Sequence, residues 1–222
     1  MNNQNNDRWL QCWRDEETED FHQKEVNQFL SRFWPSLNLA RSSRIFVPLC
    51  GKSLDMIWLA KQGHEVIGIE LSAIAIKAFF QENKLKFSKK RMGKFTVWSS
   101  GRIRILCGDF FSLKQSDLGK IEFVYDRASL TALPEDIRKD YVLHLEKILS
   151  NSTNMFLLTT EDIELDQASS LPYIDEEIMA LYSASFDIDL THVESTLTHN
   201  PLYPDQASTP TEYKVYRLFN KH

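Results

Sequence analysis

Gly51 and Glu70 are the residues of this chain whose types and spacing point most directly to chemistry. Gly51 follows the apolar run 44–50, and Glu70 lies nineteen residues later, at the end of a second apolar run. A glycine turn after one strand lets the backbone approach a ligand, and an acid ending the next strand accepts hydrogen bonds from ribose hydroxyls. The pattern predicts a nucleoside-cofactor site on a parallel α/β sheet. The alternative is an ordinary βαβ unit in which Glu70 is a solvated strand end.

The turn lacks the glycines that a dinucleotide needs. It contains Gly51 alone in place of the G-x-G-x-x-G pattern, and no glycine-rich helix start offers open backbone donors to a pyrophosphate. This favours a nucleoside cofactor without phosphates over a nicotinamide dinucleotide. S-Adenosylmethionine is the common cofactor of that kind.

Alternating strands and helices must position these residues. Helices are predicted over residues 21–33, from the capping Ser72 to about residue 83, and after Pro134. The alternation predicts a doubly wound, mostly parallel sheet with helices on both faces. The last two strands have no helix between them, which predicts an antiparallel hairpin at one edge. Strands are predicted over 44–50, 65–70, 102–107, 121–126, 154–160, 187–197 and 212–219.

Two segments precede the strand 102–107. Residues 95–98 are predicted to form a hairpin with it, through a turn that contains Gly101. The basic segment 84–94 is predicted to be a solvated loop after a helix, and the alternative is a cluster that attracts an anion.

Length and composition narrow the class of protein. The 222 residues fit one domain, 1–222, with a polar, disordered tail at 1–8. The net charge of −5 argues against nucleic-acid binding, no apolar run reaches membrane-spanning length, and the polar residues 1–7 lead us to expect no signal peptide. The three cysteines are not in metal-binding spacing, so we expect reduced thiols in a cytoplasmic protein without a metal site. Nothing in the sequence demands more than a monomer.

Two further polar residues follow predicted strands, where ligands of such sheets lie. Asp109 is predicted to accept a hydrogen bond from an adenine amino group while Phe110 packs on the ring; alternatively, Gly108-Asp109 is a turn and the phenylalanines are core. Arg127 follows a buried strand, where its charge needs a partner. That partner is a ligand or, alternatively, the neighbouring carboxylate of Asp126 or Glu161.

Five motifs run from the N-terminal segment to Ala128. They are W-x-x-x-W with F-H-Q-x-x-V-N within residues 9–27, V-P-L-C-G-K-S-L-D-M at 47–56, G-I-E-L-S at 68–72, C-G-D-F-F at 107–111 and V-Y-D-R-A at 124–128. With these motifs the chain resembles the bacterial thiopurine S-methyltransferases, over nearly its whole length. The resemblance implies a Rossmann-like, class I methyltransferase fold of seven strands, with residues 9–40 as an N-terminal helical lid.

The resemblance also implies site residues. Trp13, Leu49, Glu70 and Arg127 are expected to contact S-adenosylmethionine, with the turn at Leu49 and Gly51 under its methionine part. Arg127 is also expected to orient the cofactor and to favour an acceptor thiolate. Phe21 and His22 are expected at the substrate pocket. Phe21 would exclude water there, and His22 would either relay a proton or be a helix-capping or surface histidine.

The activity that the resemblance implies is in-line methyl transfer to the sulfur of aromatic or heterocyclic thiols such as thiopurines. One alternative is a small-molecule methyltransferase with another acceptor, including selenium or tellurium species in detoxification and metalloid resistance. The other alternative is a non-catalytic nucleoside-binding protein. The expected partner is a small-molecule thiol, with no nucleic acid and no membrane.

Overall fold

The computed structural model describes residues 3–15, 17, 22–162, 175–198 and 209–221. The strands of this part of the chain are β1 Arg44–Val47, β2 Glu65–Glu70, β3 Ser88–Met92, β4 Phe95–Ser100, β5 Ile103–Cys107, β6 Phe123–Arg127, β7 Asn154–Asp162, β8 Phe186–Thr198 and β9 Thr209–Asn220. The helices are α1 Asn3–Arg14, α2 Gln28–Phe33, α3 Asp55–Lys61, α4 Ala73–Glu82, α5 Gln115–Leu118, α6 Ser129–Ala132, α7 Glu135–Ile148 and α8 Glu176–Tyr182. Two 3-10 turns span Trp34–Leu37 and Phe110–Ser112.

The chain divides into two compact units. The first comprises Met1–Tyr125 and His144–Ser150, and the second comprises Asp126–Leu143 and Asn151–His222. Strand β6 therefore begins in the first unit, and its last two residues belong to the second. That these units make up one methyltransferase domain stays a prediction.

The first unit contains strands in the order β3-β4-β5-β2-β1-β6. Neighbours from β5 to β6 are parallel, and β4 is antiparallel to both of its neighbours, β3 and β5. The central strands β1 and β2 are apolar between their ends, and Ile45, Phe46, Val66 and Ile69 are fully buried, as expected of strands covered on both faces. Because these strands are parallel and in register, the turn after β1 and the end of β2 lie at the same edge of the sheet.

The second unit contains strands in the order β7-β9-β8, all antiparallel. The predicted C-terminal hairpin is present as β8 and β9, with a register irregularity between Leu190 and His192. The α/β class with parallel strands and antiparallel edge strands is confirmed. No helix within the described ranges is long and apolar enough to cross a membrane.

The strand count was predicted wrongly: the described residues form nine strands rather than seven. The hairpin strand predicted at 95–98 is β4, and the basic segment predicted to be a loop contains β3. Strand β3 pairs with β4 because its Lys89 lies opposite Trp98, with the ammonium 3.5 Å from the centroid of the indole ring. Phe87, at the start of the hairpin, packs on the same indole, with ring centroids 5.0 Å apart. A cation is stabilised when it lies over an aromatic ring. The positive charge of this segment was therefore not sufficient evidence for a solvated loop.

The N-terminal segment also differs from the predictions. Helix α1 begins at Asn3, within the segment predicted to be a disordered tail. The helix predicted over 21–33 begins only at Gln28, because the side chain of Asn27 accepts hydrogen bonds from the N–H groups of Phe29 and Leu30. Asn27 has a φ of −59° and a ψ of 127°, outside the helical region, so it caps the helix instead of continuing it.

Candidate active site

The turn after β1 is built from residues in the left-handed backbone region. Leu49 has a φ of 43° and Gly51 a φ of 50°. Between them, the N–H of Cys50 donates to the carbonyl of Ile69 in β2, at 3.0 Å. A left-handed leucine is unfavourable, and strained residues of this kind cluster at ligand sites. The turn therefore holds its open backbone conformation at a cost in free energy.

Glu70 links this turn to the next helix. Its side chain is 7% exposed, one carboxylate oxygen accepts from the N–H of Gly51 at 2.9 Å, and the other accepts from the N–H of Ser72 at 2.6 Å. Ser72 in turn caps α4, as predicted, by accepting from the N–H of Ala75 at 3.3 Å. Each carboxylate oxygen has a second lone pair. Glu70 can therefore hold the turn and still accept two hydroxyl hydrogen bonds.

Burial makes Glu70 hard to ionise. It raises the pKa of this carboxyl from 4.5 to about 7, against the opposing effect of the hydrogen bonds from the N–H groups of Ser72, Gly51 and Leu71. Between the two values the folded protein binds more protons than the unfolded chain. The contribution of Glu70 to folding stability is therefore greatest at low pH, falls as the pH rises through this window, and levels off above pH 7.

We expect the affinity for S-adenosylmethionine to fall as the pH drops below 7, by up to about tenfold per pH unit, because a protonated Glu70 loses acceptor capacity. Isothermal calorimetry from about pH 5.5 to about pH 8.5 measures this dependence and the proton release that accompanies it. An affinity that stays flat across pH 7 would show that binding does not need the carboxylate.

Trp13 of α1 lies directly against the glycine turn. Its side chain is buried, and its Cζ2 atom is 3.2 Å from the position that a Cβ on Gly51 would occupy. Helix α1 also contacts α4. Trp13 and Glu70 thus both contact the turn at Gly51. That Trp13 contacts a cofactor stays a prediction.

Replacing Gly51 with alanine is expected to lower the free energy of unfolding by more than the roughly 1–2 kcal/mol of a left-handed alanine, because Trp13 must also move. Gly101→Ala is the matched control, since Gly101 has a φ of 55° and nothing within 4 Å of its Cβ position. Urea unfolding of both variants measures the difference between them, which is the contribution of the Trp13 contact. Equal losses would show that Trp13 can shift freely.

Asp109 and Phe110, which follow β5, have the contacts expected of a turn and a core residue. Asp109 accepts from the N–H of Phe111 at 3.2 Å and caps the turn Phe110–Ser112. Phe110 is buried, and His144 of α7 lies against its ring and within 3.1 Å of its carbonyl oxygen. The pair Gly108-Asp109 is a turn and Phe110 belongs to the core. That Asp109 also accepts from an adenine stays a prediction.

For the remaining predicted site residues, the structure gives at most a position in the fold and a degree of burial. Arg127 is half-buried, ends β6 and belongs to the second unit. His22 is half-buried. Phe21 lies outside the described residues. The roles of these three residues in binding or catalysis stay predictions.

Asp55 was not singled out by the sequence reasoning, although it lies in the motif at 47–56. It is buried at the start of α3 and accepts from the N–H of Asn27 at 2.8 Å and from the hydroxyl of Tyr125 at 2.9 Å. It therefore ties the capping residue of α2 to β6. An acidic residue at a helix start just after a strand was the available signal.

The chemistry of this turn suits an adenosine cofactor better than a metal ion. Within the residues that the structure describes, no group of three or more His, Cys, Asp or Glu could hold a metal ion. A buried carboxylate with spare lone pairs suits two hydroxyls, the left-handed turn leaves the backbone open, and an indole shields the turn from water. Leu49, Gly51, Glu70 and Trp13 thus fit S-adenosylmethionine.

Comparison with known proteins gives consistent matches. The family model described as thiopurine S-methyltransferase matches residues 4–221. The thiopurine S-methyltransferase of Stutzerimonas stutzeri (strain A1501) is 54% identical over 222 residues, covering 100% of this chain and 93% of that protein. That of Nitrosospira multiformis is 42% identical over 215 residues, covering 96% and 97%.

Solved structures are similar at low identity. The Burkholderia thailandensis 1,6-didemethyltoxoflavin-N1-methyltransferase, with S-adenosylhomocysteine bound, matches with a TM-score of 0.60 at 14% identity, over 96% of this chain and 87% of that one. A methyltransferase from Anabaena variabilis, dependent on S-adenosylmethionine, matches with a TM-score of 0.59 at 17% identity, over 96% and 94%. At these identities the matches show the fold, which is that of S-adenosylmethionine-dependent methyltransferases.

Proposed function

Because the chain belongs to the thiopurine S-methyltransferase family, we propose that it methylates the sulfur of aromatic and heterocyclic thiols, including thiopurines. The observation that carries the proposal is the 54% identity to a thiopurine S-methyltransferase over the full 222 residues. Glu70 and Trp13 both contact the turn at Gly51, and this arrangement supports a cofactor site in this chain.

The reaction sets simple requirements for the protein. S-Adenosylmethionine, when bound, supplies a methyl group activated on a sulfonium. Charge disappears as a thiolate attacks a cationic donor in line, so water, which solvates separated charges, slows the step. A dry pocket and alignment of the two reactants therefore provide much of the rate enhancement. Heterocyclic thiols are acidic enough that a strong general base is not required.

The residues at the glycine turn are suited to hold and align the cofactor. Glu70 would hold the ribose hydroxyls, and the backbone at Leu49 and Gly51 would contact the methionine part. Trp13 already covers Gly51 and would exclude water from this side. Arg127 would orient the cofactor and stabilise the acceptor as a thiolate.

Arg127→Lys is expected to lower kcat/KM by roughly tenfold, since a point-charge ammonium cannot replace a planar guanidinium fork. The steady-state rate of thiol methylation across pH measures this loss. Lys139→Ala, which removes an exposed cation from α7, is the control and is expected to leave the rate unchanged. Full activity of Arg127→Lys at every pH would rule out the proposed role.

Incubation with labelled S-adenosylmethionine and a panel of acceptors tests the function. The panel contains aromatic thiols, phenols, amines and selenite, and transfer of label is scored for each. Transfer to thiols above all others is expected. Preferred transfer to selenite or to another group would assign a different acceptor. Cofactor binding without any transfer would identify a non-catalytic nucleoside-binding protein.

We further propose that the protein works as a cytoplasmic monomer in detoxification, including metalloid resistance. Free Cys12, Cys50 and Cys107 support a reducing compartment. Size-exclusion chromatography with light scattering tests the oligomeric state, and tellurite tolerance of a deletion strain tests the role in resistance.

A further inference from the structure

The residue that follows Arg127 has a strained backbone. Ala128 has a φ of 59° and a ψ of 7°, in the left-handed region. This region is unfavourable for residues with a Cβ, because the Cβ approaches the following carbonyl. Glycine would adopt it freely. An alanine there must be held in place by its surroundings.

A buried carboxylate closes the turn around Arg127 and Ala128. Asp126 is fully buried; one of its oxygens accepts from the N–H of Ser129 at 3.0 Å and the other accepts from the hydroxyl of Tyr141 at 2.6 Å. Burial raises the pKa of this carboxyl, and the donors on Tyr141, Ser129 and Leu130 oppose that rise. Taking a carboxylate out of water is costly, and these donors offset part of that cost.

The backbone on the far side of the turn is fixed as well. The N–H of Ala128 donates to the carbonyl of Leu158 in β7 at 3.0 Å, and its own carbonyl accepts from the N–H of Ala132 at 3.0 Å, which starts α6. Arg138 of α7 donates to the carbonyls of Thr131 and Leu133 at the end of α6. The main chain before and after Arg127 is therefore held by groups other than its own side chain.

We propose that Asp126 and Tyr141 are positioning residues that hold the Arg127 backbone in the orientation its function requires. The left-handed alanine is unfavourable where a glycine would not be, and strained residues of this kind gather at functional sites. Tyr141 lies on α7, outside the turn, and its hydroxyl donates to Asp126. This hydrogen bond fixes the position of the turn relative to a long helix. The inference rests on the proposed role of Arg127 in binding the cofactor and the thiolate.

The first test separates stability from activity. Ala128→Gly relieves the left-handed strain, so we expect an unchanged or higher Tm, while the looser turn lowers kcat by roughly tenfold. A purely structural turn would keep its full kcat in this variant, and that result would overturn the proposal.

The second test uses a matched pair of tyrosines. Tyr141→Phe removes a hydrogen bond of 2.6 Å from the tyrosine hydroxyl to buried Asp126. Tyr216→Phe removes the corresponding hydrogen bond, also of 2.6 Å, to buried Asp175. We expect similar losses in Tm but a lower kcat only for Tyr141→Phe. Equal losses of activity in the two variants would overturn the proposal.

A double-mutant cycle connects the effect to Arg127. In an Arg127→Lys background, Tyr141→Phe is expected to lower kcat by a smaller factor than it does in the wild type, because both substitutions act through the side chain at position 127. Full additivity would contradict the inference.

The wild-type enzyme separates this inference from the proposed function. Thiol methylation by the wild type tests the function, and the ratio of each variant to the wild type tests the positioning. If the wild type binds S-adenosylmethionine without transferring methyl groups, the same variants are compared by calorimetry. Weaker cofactor binding by Tyr141→Phe than by Tyr216→Phe then supports the positioning role, and equal binding overturns it.

Discussion

Replacing Glu70 with alanine is expected to weaken S-adenosylmethionine binding by roughly 1–3 kcal/mol through lost hydrogen bonds to the ribose. The loss has a second source in the protein itself. Glu70 also accepts from the N–H groups of Gly51 and Ser72, at 2.9 Å and 2.6 Å. Without it, the turn after β1 is no longer tied to the start of α4. Isothermal calorimetry of the purified variant measures the change in affinity.

A control on the same strand separates the site from the sheet. Glu65 lies at the opposite end of β2, where it pairs with Arg44 near the surface. Glu65→Ala is expected to leave cofactor affinity unchanged, since this partly exposed ion pair contributes little and lies away from the turn. Cofactor affinity that is the same in Glu70→Ala and in the wild type would refute the ribose assignment.

Replacing Asp55 with alanine is expected to lower the free energy of unfolding by roughly 2–5 kcal/mol, because two buried donors lose their acceptor. These are the N–H of Asn27 and the hydroxyl of Tyr125. Urea unfolding followed by circular dichroism measures the loss. Asp55→Asn retains one acceptor oxygen and should lose about half as much.

The control for this prediction is Asp140→Ala, which removes an exposed aspartate from α7 and is expected to change stability by less than about 0.5 kcal/mol. A loss below about 1 kcal/mol in Asp55→Ala would mean that water replaces the carboxylate. Asp55 also joins the capping residue of α2 to β6, so the variant should bind cofactor less tightly even where it stays folded.

Residues close in sequence were predicted best. Ser72 caps α4 as predicted, because a cap depends on hydrogen bonds to N–H groups two or three residues away. Strand β2 was predicted with its observed bounds, since a short apolar run that ends in an acid contains the whole signal. The relation of Gly51 to Glu70 was also predicted, because neighbouring parallel strands end at the same edge of the sheet.

Predictions failed where a distant side chain decides the local structure. The basic segment with Lys89 is a strand because Trp98 lies opposite it. The helix expected to start at Phe21 begins at Gln28, because Asn27 turns its side chain toward the N–H groups of α2 while its own N–H reaches Asp55. Local charge and periodicity contain no information about either partner.

The sequence by itself determined the α/β class, the glycine turn, the acid that faces it and the family, since these depend on short motifs and on strand periodicity. Only the tertiary structure decided that Trp13 covers Gly51, that Asp55 joins α2 to β6, and that burial brings the pKa of Glu70 to about 7. The physical reason is that burial and long-range hydrogen bonds depend on which surfaces meet after folding. Residue type and spacing do not specify those surfaces.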